Sequence, residues 1–207
     1  MEPATEPKAV IVGTGRSGTG FIAAMLNDLG VRCGHEGWWN PLGQRESGLL
    51  VDSSWCAVPH LASFDGPVFH VVRHPLDVVS SLTLSPDWGP YADLRGVPDG
   101  YDSLRGAMWT VATWGKMCDD YDGFPSFGPY RVEDEDEVVD LLHTVGRHVG
   151  LPVTVAAARS AQRAGGGAEV NRHDVTGTRF GWGMLRACDP DLTDSLTHLT
   201  KTWGYDL

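Results

Sequence analysis

Three groups of residues in this chain have the types and spacing for anion chemistry. The first is Gly13-Thr-Gly-Arg-Ser-Gly-Thr19, where one guanidinium, Arg16, and two hydroxyls, Ser17 and Thr19, stand among glycines. Glycines let backbone N–H groups turn toward a bound anion, and a cation with hydroxyls beside them suits a fixed, strongly acidic leaving group. The second is Arg73 with Ser81 eight residues on, a planar fork and a neutral donor able to hold one phosphate at two points. The third is His35-Glu36, an imidazole and a carboxylate side by side.

The elements that must position these groups can be read around them. Val10, Ile11 and Val12 are β-branched and bounded by turn residues, which predicts a strand buried on both faces. Phe21, Ala24, Met25 and Leu29 then recur at helical spacing. Strand, glycine turn and helix in that order make an anion site, because the unpaired N–H groups and partial positive charge of a helix N-terminus favour phosphate or sulfate. Two other readings compete for the turn. A triphosphatase loop of the form GxxxxGK[ST] needs Lys where Thr19 stands, so the residue that reaches the terminal phosphates is missing. Gly13, Gly15 and Gly18 do satisfy GxGxxG, with Glu36 at about the distance of a ribose-binding acid, so an NAD(P)-dependent Rossmann oxidoreductase remains open.

The loop Gly13 to Thr19 resembles the 5′-phosphosulfate loop of sulfotransferases that use 3′-phosphoadenosine 5′-phosphosulfate (PAPS), and Val71-Val-Arg-His-Pro-Leu-Asp-Val-Val-Ser-Ser81 is similar to their 3′-phosphate motif. Tyr130-Arg-Val-Glu-Asp134 resembles the strand-end "YED" segment, with Val132 where the family usually has Tyr. Met25 to Glu36, ending Val31-Arg-Cys-Gly-His-Glu36, is most similar to the tyrosylprotein sulfotransferase branch, in which the second acid of a "CGEE" segment is the base; Glu36 holds that place and His35 replaces the first acid. The resemblance implies an α/β fold, a three-layer sandwich on a central parallel sheet of the P-loop nucleoside-triphosphate-hydrolase type, forming one domain over residues 1–207 with residues 1–7 as a disordered start. It implies sulfonate transfer from PAPS to a hydroxyl, leaving 3′-phosphoadenosine 5′-phosphate, with no metal. Arg16 would stabilise the leaving group, and Glu36, with His35 as substitute, would take the acceptor's proton. Gly15, Arg16, Ser17, Gly18, Thr19 and Gly20 would hold the 5′ end, Arg73 and Ser81 the 3′-phosphate, and Phe21 would stack near the adenine. A non-catalytic nucleotide-binding module is the alternative from another class.

Along the rest of the chain, Gly30 ends the first helix and Val31 to Cys33 is predicted to form a second strand whose exit carries His35 and Glu36. Trp38, Trp39 and Trp55 lie among glycines and prolines that seldom build long elements; they read equally as an acceptor wall and as core padding. Pro67 to Arg73 reads as a buried strand, and Pro75 opens a helix with Leu76, Val79 and Leu82. Ser85 to Gly100 reads as a loop, with Trp88 and Tyr91 at an acceptor entrance. Tyr101 to Tyr121 predicts a core helix, Gly128 to Val132 a last strand, and Glu133 to Glu137 an acidic helix start suited to the dipole. Thr154 to Ala164 and Asp189 to Trp203 predict two more helices; between them, Arg172 and Arg179 read first as surface charge and, by position only, as candidates for the basic lid of related sulfotransferases.

Composition narrows the partners. Sixteen Lys and Arg against 27 Asp and Glu give a net charge of −11, a field that repels nucleic acid and highly sulfated glycans. A small neutral or cationic hydroxyl acceptor, a sugar or a phenol, is the expectation; a protein tyrosine in an acidic context clashes with that charge. Cys33, Cys56, Cys118 and Cys188 form no CxxC pair, so no zinc site or disulfide framework is suggested. No signal peptide or membrane span is evident, which makes the cytoplasm the expected compartment. Oligomeric state has no mark in the sequence.

Overall fold

A computed structural model describes residues 5–85, 93, 95–123, 125–164 and 179–207. It is an α/β protein built on a sheet of five parallel strands in the order β2-β3-β1-β4-β5. The strands are β1 (Ala9–Val12), β2 (Cys33–His35), β3 (Val51–Ser53), β4 (Val68–Val72) and β5 (Ser126–Arg131). The helices are α1 (Thr19–Asp28), α2 (Pro75–Thr83), α3 (Ser103–Asp119), α4 (Glu135–Val149), α5 (Val155–Arg163), α6 (Trp182–Cys188) and α7 (Pro190–Thr202), with a 3₁₀ helix at Trp55–Ser63.

The alternation of β1 explains the layers. Ala9 and Ile11 face one side and pack with Ile22, Met25 and Leu26 of α1 and Val138, Leu141 and Val145 of α4. Val10 and Val12 face the other side, against Trp55, Leu61 and Trp114. A further cluster on α2, α3, α6 and α7 holds Val79, Met108, Leu185 and Leu196. A strand covered by helices on both faces has no polar face, hence the unbroken apolar run. Truncating the fully buried Ile11 to Ala should cost about 2–5 kcal/mol.

Chain order places the ligand edge. From β1 the chain passes through α1 to β2 and β3 on one side, then crosses to β4 and β5 on the other. Connections therefore diverge between β1 and β4, and in open parallel sheets ligands bind beyond the carboxyl ends of the strands at such a point. The Gly13–Gly18 loop leaves β1 there and Arg73-His74 leaves β4.

Three local expectations differ from the structure. The second strand begins at Cys33 rather than Val31, because the Gly30 and Val31 N–H groups close α1 by donating to Asn27 O and Leu26 O. Asn27 then clamps Cys33, accepting its N–H at 3.0 Å and donating to its carbonyl at 2.7 Å. Within 37–60, strand β3 and the 3₁₀ helix are ordered elements. Helix α6 lies between Arg179 and the helix predicted from Asp189, where the sequence predicts no element. At the start of the chain Pro7 is buried and the Lys8 N–H donates to Leu50 O at 3.0 Å.

Candidate functional site

The loop after β1 carries polar groups that lack partners among the described residues. Gly18 has φ 99°, and it gives α1 no side-chain cap, so the first N–H groups of the helix are left for another acceptor. Thr14 Oγ1 and Ser17 Oγ are buried and find no hydrogen-bond partner among the described residues. A buried hydroxyl left so costs about 1–3 kcal/mol, which a ligand with acceptor oxygens would offset. Residues Thr14 to Gly20 thus present donors that an anion with acceptor oxygens could satisfy. Space also explains the glycines: a Cβ at Gly13 would stand 2.4 Å from Ser17 Oγ and 2.5 Å from Val71 O. Phe21 lies half-buried against the core cluster under α1.

The second motif comes to the same edge. His74 caps α2 by accepting the Leu76 N–H on Nδ1 at 3.2 Å, a turn role. Ser81, two turns along α2, accepts a hydrogen bond from Arg16 Nε at 2.9 Å, so the two motifs touch. Arg73 lies 3.9 Å from Glu133 and remains more than a third exposed, a weak pair that a phosphate can displace. Asp77 pairs instead with Arg179 at 2.6 Å, and the Phe180 N–H donates to Ser80 Oγ, docking that segment on α2. Beyond β5, Val132 packs against Gly18, 3.0 Å from where a Cβ would be, and its N–H donates to Val72 O. The loop, the Arg73 motif and the Tyr130–Asp134 segment therefore converge. Trp88, Tyr91 and Arg172 lie outside the described residues.

His35 ends β2 and Glu36 follows it, with the His35 ring against the first turn of α1. The His35 ring lies over Gly20, where a Cβ would be 3.1 Å from it, and its Nε2 is 3.5 Å from Thr19 Oγ1 and 3.7 Å from Glu36 Oε1. Ser53 Oγ donates to Thr19 O at 2.8 Å, tying β3 to the same turn. Among the described residues, Arg16 (φ 72°) and Glu36 (φ 58°) are the two non-glycine residues with left-handed backbone. Such conformations cost about 1–3 kcal/mol and persist where the surroundings enforce them, most often at functional sites.

The sequence reading missed two residues that build this region. Asp52, fully buried on β3, accepts the N–H groups of Gly37, Trp38 and Trp39 at 2.9, 3.2 and 3.1 Å, fixing the chain after Glu36. Burial raises its pKa against the lowering effect of those hydrogen bonds. Arg95 is buried, with its guanidinium 4.6 Å over the Trp55 ring and Nη2 3.0 Å from where a Cβ at Gly15 would be. It brings a second cation to the loop. The only hint was its place in a Pro/Gly-rich connection, where functional groups concentrate.

Beside the site lies a cavity of about 340 Å³. Trp38, Trp55 and Trp114 line it as buried rings, Trp39 and Cys56 as half-buried groups. The tryptophans of 37–55 are thus both core and cavity wall. Burial pushes the Cys56 thiol up to about 12, so it stays protonated.

Among the described residues no helix is long and apolar enough to cross a membrane. Comparison with protein-family models finds no family whose model matches this chain, and comparison with curated proteins finds no match.

Proposed function

We propose that this protein is a PAPS-dependent sulfotransferase acting on a small hydroxyl acceptor, on a P-loop-type version of the parallel α/β fold. The observation that carries the reading is the Arg16–Ser81 hydrogen bond, which brings the loop that resembles the 5′ motif into contact with the segment that resembles the 3′-phosphate motif. Orphaned hydroxyls at Thr14 and Ser17, the uncapped start of α1 and the strained backbone of Arg16 and Glu36 support it.

When bound, PAPS supplies the sulfonate, whose bond to the acceptor oxygen forms as its bond to the bridging phosphate oxygen breaks. Arg16 offsets the negative charge that grows on that leaving oxygen, stabilising the transition state more than the ground state. Loop amides with Ser17 and Thr19 hold the 5′ end, while Arg73 and Ser81 hold the 3′-phosphate. Glu36 accepts the proton from the attacking hydroxyl, an effect of about 10²- to 10⁴-fold, with His35 orienting it or substituting for it.

Strand order weighs against the nicotinamide reading. In the dinucleotide fold the ribose-binding acid follows the strand next to β1. Here β3 stands between β1 and β2, the strand that leads to Glu36. The test is titration calorimetry with 3′-phosphoadenosine 5′-phosphate and with NAD, followed by a transfer assay with labelled PAPS. Binding of the bisphosphate with label transfer to a phenol or sugar is expected. NAD binding alone contradicts the reading, and nucleotide binding without transfer to a broad hydroxyl panel favours a non-catalytic module.

A further inference from the structure

The tryptophan-lined cavity is shaped to select among acceptors. About 340 Å³ lies at the small end of ligand pockets, which run from about 300 to 1,000 Å³, enough for one or two rings. The half-buried Trp39 offers a ring for an aromatic ligand to pack against, beside the buried Trp38, Trp55 and Trp114. Its link to the chemistry is Asn40, which lines the cavity and whose side-chain amide donates to Glu36 O at 2.9 Å. Trp55 also lines the cavity, and the Arg95 guanidinium over its ring reaches the Gly15 loop.

Charge then decides the ligand class. The overall −11 taken alone favours a neutral or cationic acceptor. The lining argues otherwise, because among the described residues no Asp or Glu belongs to it and its exposed members include Arg45 and His60. Arg45 lies 4.7 Å over Trp38 and forms no ion pair with the described residues. With guanidiniums already over Trp38 and Trp55, an added cation meets repulsion rather than a vacant aromatic face. An anionic substituent meets a partner for its charge in Arg45.

We infer that the cavity binds a hydroxylated aromatic acid, its ring against Trp39, its carboxylate at Arg45 and its hydroxyl toward Glu36. The role as sulfonate acceptor rests on the proposed activity; the binding does not.

A matched series separates the two. The probes are 4-hydroxyphenylacetate, its methyl ester and tyramine, measured by ligand-observed NMR and calorimetry on the full chain, with and without 3′-phosphoadenosine 5′-phosphate. The acid is expected to bind tightest and tyramine weakest, with a spread of about threefold to tenfold between acid and ester. Arg45→Gln should remove that spread and leave ester affinity unchanged. Trp39→Ala should weaken both. Tyramine binding as well as the acid, an acid preference that survives Arg45→Gln, or no binding of any probe at millimolar concentration would overturn the inference. Acid binding that depends on Arg45, in a protein that does not bind the bisphosphate, would keep the cavity assignment and sink the sulfotransferase reading.

Discussion

Arg16 and Ser81, 65 residues apart in the chain, meet through a hydrogen bond from Arg16 Nε to Ser81 Oγ. A serine hydroxyl that accepts one bond still has its own proton to donate. Ser81 can therefore hold Arg16 and a phosphate oxygen together, so that the cation is in place before the leaving group takes up charge. Arg16→Ala should lower kcat by about 10²- to 10³-fold while affinity for 3′-phosphoadenosine 5′-phosphate changes only a few-fold. Steady-state kinetics with calorimetry on the variant separates the two effects.

The base is decided by a pair of isosteric changes. Glu36→Gln keeps the carbonyl and the shape but removes the proton acceptor, and turnover should fall by about 10²-fold or more. His35→Gln should fall less, since His35 reaches Thr19 as well as Glu36. An active Glu36→Gln enzyme removes Glu36 from the mechanism.

Asp52 acts through the loop it holds. Asp52→Ala leaves three backbone N–H groups, those of Gly37, Trp38 and Trp39, without their acceptor, at about 1–3 kcal/mol for each that stays dry. Urea denaturation should show a loss of at least about 2 kcal/mol, together with weaker binding in the tryptophan cavity, whose wall is built on those residues.

A buried histidine gives the fold an acid limit. His70 on β4 lies with Nδ1 3.4 Å from Asp119 Oδ1, which also accepts from Trp203 Nε1, and the Trp203 ring stands edge-on at 5.7 Å. Burial lowers its pKa from 6.5 to about 4. The unfolded chain therefore takes up this proton first, so the stabilisation is present above about pH 6.5 and is lost as pH falls toward 4. The loss reaches roughly 3 kcal/mol at about 1.4 kcal/mol per unit. Asp119 works the other way, because burial raises its pKa and it protonates earlier in the fold. Chemical denaturation across pH 4 to 7 should give a flatter profile for His70→Gln than for the wild type.

The legible parts of the fold were those with a local physical signature. β1 and β4 announce themselves as β-branched runs closed by breakers, and α2 by a proline at its first position. The Gly13–Thr19 turn between β1 and α1 was legible because its glycines are clustered in consecutive residues. β3 was not: three residues long, it has an acid at its centre, and only the distant Gly37–Trp39 amides make that acid tolerable there. Helix α6 is seven residues long and contains Gly183, a weak helix former, and its order comes from Leu185 packing into the α2–α3–α7 cluster. Arg95 has no pattern around it, since its place beside Gly15 and Trp55 exists only after the sheet edge is assembled. Trp114, inside the predicted core helix, is a buried ring, yet it also lines the cavity.

The claim that one nucleotide spans the Gly13–Thr19 loop and the Arg73–Ser81 pair is tested most directly by the value of a single phosphate. Affinities of 3′-phosphoadenosine 5′-phosphate and adenosine 5′-monophosphate are measured by calorimetry for the wild type and for Arg73→Ala. The account predicts a preference of about 10- to 100-fold for the bisphosphate in the wild type, collapsing in Arg73→Ala while monophosphate affinity holds. Equal affinity of the two nucleotides in the wild type, or a preference untouched by Arg73→Ala, would contradict it.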